Sequence, residues 1–142
     1  MLATLLMSLS LFASAFSGTW VCHFRGHDTT WRIAAAPGSA WTSVRGGDQS
    51  SDRGGIAHVG CAGPQKRWVY RDFHYDGSYG DASSPGPVNG TWTWSGPFYL
   101  SDRVLEGAAL WNLTNTKRID WTFEALQHGK LVPTASDYCT KQ

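Results

Sequence analysis

The sequence predicts an all-β fold, an antiparallel up-and-down β-barrel of about eight to ten strands, and three observations predict it. First, three successive runs between Asn89 and Cys139 alternate apolar and polar residues with period two. Neighbouring side chains on a strand point to opposite faces, so such runs are half-buried strands. Second, the breaks between runs are short and polar (Ser101-Asp102-Arg103 and Thr114-Asn115-Thr116-Lys117), as hairpin connections require. Third, the chain holds eight Trp and 16 Gly among 142 residues with only 16% charged, a composition suited to strands and tight turns. No stretch shows helical periodicity. A β-sandwich is the alternative fold.

Residues 1–15 carry no charge and end in Ala13-Ser14-Ala15, a small-x-small site. They read as a secretory signal peptide, with a single barrel domain over 16–142. The rival reading is an N-terminal anchor. The apolar run, about 16 residues, is shorter than the roughly 20 that a membrane-spanning helix needs.

The first strand of the mature chain sets Trp20, Cys22 and Phe24 on one face. After Gly26-His27-Asp28, Trp31, Ile33 and Ala35 share a face until Pro37-Gly38 stops the strand. Trp41 to Arg45 forms a third strand. The segment 46–55, rich in Gly, Ser and Asp, reads as a loop at one end of the fold. A short strand follows at Ile56 to Gly60. The long strand from Lys66 to Tyr75 puts Trp68, Tyr70, Asp72 and His74 together, with Val69, Arg71 and Phe73 opposite. Asp76-Gly77 is a hairpin turn into a weak strand at Ser78 to Ala82. The next three strands carry Trp92, Trp94, Phe98 and Leu100, then Leu105, Ala109, Trp111 and Leu113, then Ile119, Trp121, Phe123 and Ala125. The last strand, Leu131 to Cys139, contains Pro133, which marks a bulge or an edge. Sequential hairpins of this number favour closure, which removes exposed edges.

Cys22, Cys61 and Cys139 allow one disulfide and one free thiol, in three pairings. If the sheet closes, first and last strands become neighbours, which favours Cys22 with Cys139.

Gly18-Thr19-Trp20, at the head of the first strand, resembles the start of calycins, the superfamily of lipocalins and fatty-acid-binding proteins. Trp68 to Tyr75 looks like the aromatic Arg-Asp-Phe strand of bacterial secreted lipocalin-like domains. The resemblance implies a cup, closed at one end by Trp20, that takes an apolar or flat ligand. Calycins set an Arg or Lys from late in the barrel against that Trp. Leu131 to Cys139 has none, which leaves Arg118 as the nearest substitute.

Four residue groups bear on chemistry. On a strand Asp72 and His74 lie about 7 Å apart on one face, so with Tyr70 and Trp68 they could bind a ligand or act as acid and base. The structural alternative is a pairing Asp and a His at the hairpin end. Asp120 and Glu124 share a polar face with Arg118 and read as solvated. The scattered His residues form no zinc motif, so neither a metal nor a cofactor is implied. The tryptophans read mainly as core, with some free to line a cavity or to form an external sugar platform.

These readings predict a secreted or periplasmic protein binding a small apolar or aromatic molecule within the barrel. Its ligand-binding residues would be Trp68, Tyr70, Asp72, His74, Trp92, Trp94, Trp111 and Trp121. An enzyme of lyase or isomerase type using Asp72 and His74 is one alternative, and a carbohydrate-binding module with exposed Trp is another. The net charge of +1 and the lack of a basic block exclude a nucleic-acid surface. No membrane span is expected after cleavage, and oligomeric state is not legible.

Overall fold

In a computed structural model, residues 11–35, 40–48, 54–61, 64 and 66–142 are described, with the backbone alone of Ala62. Residues 1–10 of the expected leader, the stop at Pro37-Gly38 and positions 49–53 of the expected loop lie outside the described residues. Ten strands follow one another: β1 (Gly18–Phe24), β2 (His27–Ala35), β3 (Thr42–Gly47), β4 (Gly54–Ala62), β5 (Arg67–His74), β6 (Tyr79–Ser84), β7 (Thr91–Tyr99), β8 (Val104–Asn115), β9 (Arg118–Gln127) and β10 (Lys130–Lys141). Each pairs antiparallel with its sequence neighbours, and β1 pairs with β10, so the sheet is a closed barrel. The sandwich alternative is excluded, since no two sheets face each other.

Alternation decides the faces. Trp20, Cys22, Ile33, Val44, Ala57, Val59, Trp68, Ala82, Trp92, Trp94, Ala109, Ile119 and Cys139 are all buried. Arg32, Arg45, His58, Arg71, Asp81 and Glu106 are exposed on the outside. Register then aligns the large residues across strands. Trp92 sits opposite Trp111, and Trp111 opposite Trp121, giving a row of indoles over β7, β8 and β9. The adjacent row alternates large and small, Trp94 beside Ala109 beside Phe123. Large against small lets neighbouring side chains interlock instead of colliding.

Strand ends differ from expectation where glycine permits it. The expected loop 46–55 is partly strand, for Gly46 pairs with Gly55 and Gly47 with Gly54. A Cβ at Gly46 would strike the Thr30 carbonyl oxygen, and one at Gly55 the Phe73 carbonyl oxygen. Glycine is what lets these backbones approach as the sheet curls. The bulge marked by Pro133 is present, as the β9–β10 register shifts between Pro133 and Ala135. β10 also runs past Cys139 to Lys141.

One helix is present among the described residues, at 11–16, within the stretch that read as a leader. Phe12 and Phe16 on it are fully buried against the barrel core. No helix among the described residues is long and apolar enough to cross a membrane.

Candidate functional site: the hollow of the barrel

The two ends of the barrel are unlike. At one end the helix at 11–16 fills the interior. Phe12 packs on Trp92 and Trp94 edge-on, at ring separations of 5.2 and 6.0 Å, and on Trp68 at 6.2 Å. Trp20 anchors this plug, because its Nε1 donates a 2.8 Å hydrogen bond to the Phe16 carbonyl oxygen. Lys141 Nζ lies 5.5 Å from the Trp20 ring centroid, over its face. The basic residue set against Trp20 is therefore Lys141, not the expected Arg118. Arg118 lies instead over the Tyr138 ring at 4.2 Å. The sequence reading ended the last strand at Cys139 and so missed it.

Toward the other end the interior opens into a cavity of about 270 Å³. Trp31, Trp94, Trp111, Trp121, Phe98 and Phe123 stand in its wall, and the Cys22–Cys139 disulfide is part of the wall too. Cys61 is the free cysteine and packs against the core. β3 ends and β4 begins at the open end, beside the β1–β2 and β5–β6 turns.

Polar groups gather on the β5 side. Tyr70, Asp72 and His74 all line the cavity, with Ser78 beyond them at the turn. His74 Nε2 lies 2.9 Å from Asp72 Oδ2, so the carboxylate orients the imidazole. Asp72 is buried, and its Oδ1 rests against Gly80, its partner across β6. A Cβ at Gly80 would strike that oxygen and stand 3.0 Å from Phe98 Cδ1, so glycine makes the seat for the carboxylate. The Asp does not pair with Arg71, which points outward and binds Asp81 at 3.3 Å. At the rim, Asp137 accepts a 3.2 Å hydrogen bond from the backbone N–H of Arg25.

Two buried polar atoms, Asp72 Oδ1 and Trp94 Nε1, have no hydrogen-bond partner among the described residues. Each such atom carries a desolvation cost of about 1–3 kcal/mol. An acceptor and a donor are therefore left unsatisfied on residues that line one hollow.

The Tyr70 phenol is pushed well above its ordinary value of 10.0, first by burial and then by the negative charge of Asp72. The folded protein thus keeps this proton at pH values where the unfolded chain has released it. The contribution is neutral below pH about 10, and stability falls as pH rises beyond it. Tyr70→Phe is expected to flatten that alkaline fall, read from urea midpoints between pH about 9 and 11.

Six of the eight residues expected to bind a ligand line the cavity: Tyr70, Asp72, His74, Trp94, Trp111 and Trp121. Trp68 and Trp92 face inward as well, but they lie against the plug at the closed end and not in the cavity wall. Trp31, Phe24, Phe98 and Phe123 also line the cavity and were not among the eight, although each shares a strand face with residues that turn inward. Asp120 lies on the outer face, where hydrogen bonds from Thr114 and Arg118 hold its carboxyl below the usual range. Of the eight tryptophans, all among the described residues, Trp41 is the exposed one, at 36%. Comparison of the sequence with models of known protein families finds no match, and a search among curated proteins finds none, so fold and cavity geometry carry the functional reading.

Proposed function

We propose that this chain is a secreted, calycin-like barrel that carries a small, largely apolar molecule in its hollow and grips one polar group of that molecule at Asp72 and His74. The carrying observation is the cavity itself, about 270 Å³, walled largely by apolar and aromatic residues, with Tyr70, Asp72 and His74 together on its β5 wall. Ligand sites are commonly of this kind, apolar with a few placed polar groups. The volume favours a compact ligand over a long acyl chain. The unpartnered Trp94 Nε1 would satisfy an acceptor on it. A first-strand Trp beneath a basic residue of the last strand, Trp20 under Lys141, supports the calycin comparison. An outer face carrying Arg32, Arg45, Arg71 and Asp81 suits water, since lipid-facing barrels are apolar outside. The disulfide suits an oxidising compartment.

Native mass spectrometry of protein from its own host is expected to find a bound small molecule. That molecule, added back, should quench tryptophan fluorescence. Asp72→Asn should weaken it roughly ten- to hundredfold, the worth of a hydrogen bond to a charged group. An empty protein that responds to no small apolar acid, amine or alcohol would refute the carrier.

The second reading is a lyase or isomerase, favoured by the 2.9 Å contact that orients the His74 imidazole beside a cavity. It requires that Asp72→Ala and His74→Ala abolish turnover of the bound molecule while leaving its affinity largely intact.

A further inference from the structure

The plug at the closed end has a consequence for the processed protein. The Phe12 ring is enclosed by five aromatic rings: Phe16 at 4.6 Å, Trp92 at 5.2 Å, Trp94 at 6.0 Å, and Trp68 and Trp111 each at 6.2 Å. In sequence Phe12 precedes the small-x-small site Ala13-Ser14-Ala15. Cleavage after Ala15 removes it, and removes with it the hydrogen bond from Ser17 N–H to the Ala13 carbonyl oxygen. We propose that, in the processed protein, the box vacated by Phe12 is a second ligand site, specific for a phenyl-sized aromatic ring. This inference rests on the secretory processing included in the preceding reading, and not on the cavity's being a carrier site.

The walls remain when Phe12 goes. Phe16 is still tied by its carbonyl to Trp20 Nε1 at 2.8 Å. Trp68 meets Trp92 edge-on at 4.9 Å, and Trp92 stacks on Trp94 at 5.6 Å and 13°. These indoles stand on β5 and β7, whose ladders do not involve the plug. Braced rings collapse poorly into a void. An apolar cavity of about 150 Å³ in a protein core stays dry and binds benzene. Trp94 and Trp111 border both the box and the main cavity, so the two sites share a wall.

The test compares three proteins, with toluene as the probe: the intact full chain made in an oxidising cytosol, its Phe12→Ala variant, and the secreted protein with its N-terminus read by mass. Indole N–H resonances separate the sites, since Trp92 borders the box alone and Trp121 the main cavity alone. Toluene is expected to shift Trp92 in the Phe12→Ala variant and in a secreted protein that starts at Phe16, roughly ten- to hundredfold more tightly than in the intact chain. Equal Trp92 responses in the intact and secreted proteins overturn the proposal, as does a secreted mass that retains residue 12. If Phe12→Ala does not fold, the intact and secreted proteins carry the comparison. A missing Trp121 response bears on the main cavity, and leaves the result at Trp92 to be read by itself.

Discussion

Loss of the Cys22–Cys139 bond lowers the stability of the barrel by about 4–5 kcal/mol, the chain-entropy value for so long a loop. The bond joins residues 117 apart in sequence. It lies at the seam that closes the ring, where β1 and β10 share four register pairs against ten between β9 and β10. Without it, that seam must bring the two ends of the chain together unaided. Both cysteines are buried, so a reductant reaches them slowly in the folded state. The Cys22→Ser, Cys139→Ser double variant is therefore the better test. Its melting temperature should fall by roughly 10–20 °C for a domain of this size, while Cys61→Ser should change it little. A double variant that melts within about 3 °C of the parent would show that the ladder alone holds the seam.

Trp20→Ala is expected to cost about 3–5 kcal/mol, the range for deleting a large buried aromatic side chain. Trp20 is 1% exposed and serves the closed end in two ways. Its ring fills space under Lys141, and its N–H satisfies the Phe16 carbonyl. Trp20→Phe keeps most of the volume and loses the hydrogen bond, so it should cost about 1–3 kcal/mol. Urea unfolding of the three proteins separates the two contributions. If Phe costs as much as Ala, the hydrogen bond dominates; if Phe costs nothing, it contributes nothing.

Much of this fold was legible because alternation is a local property. Trp68, Tyr70, Asp72 and His74 share a parity within β5, and all four turn inward. Pro133 signalled its bulge because a residue without an N–H cannot sit in a regular ladder. The misses share a different cause. Lys141 was passed over because pairing with Trp20, 121 positions away, is what keeps β10 extended beyond Cys139. Gly46 and Gly55 read as loop because glycine-rich composition resembles loop, whereas here it relieves crowding against the Thr30 and Phe73 carbonyls. The helix at 11–16 was hidden inside an apolar run whose composition suits a leader equally well.

From its residues alone, this chain's β class and the side chains that share each strand face follow, since a side chain's parity needs only its neighbours along the strand; which of the two faces turns inward was decided by the closed barrel. Which inward tryptophans border empty space and which border a plug was decided by closure of the ring. So was the meeting of Cys22 with Cys139 and of Trp20 with Lys141. Those outcomes depend on register and tilt around all ten strands, quantities that no single strand carries.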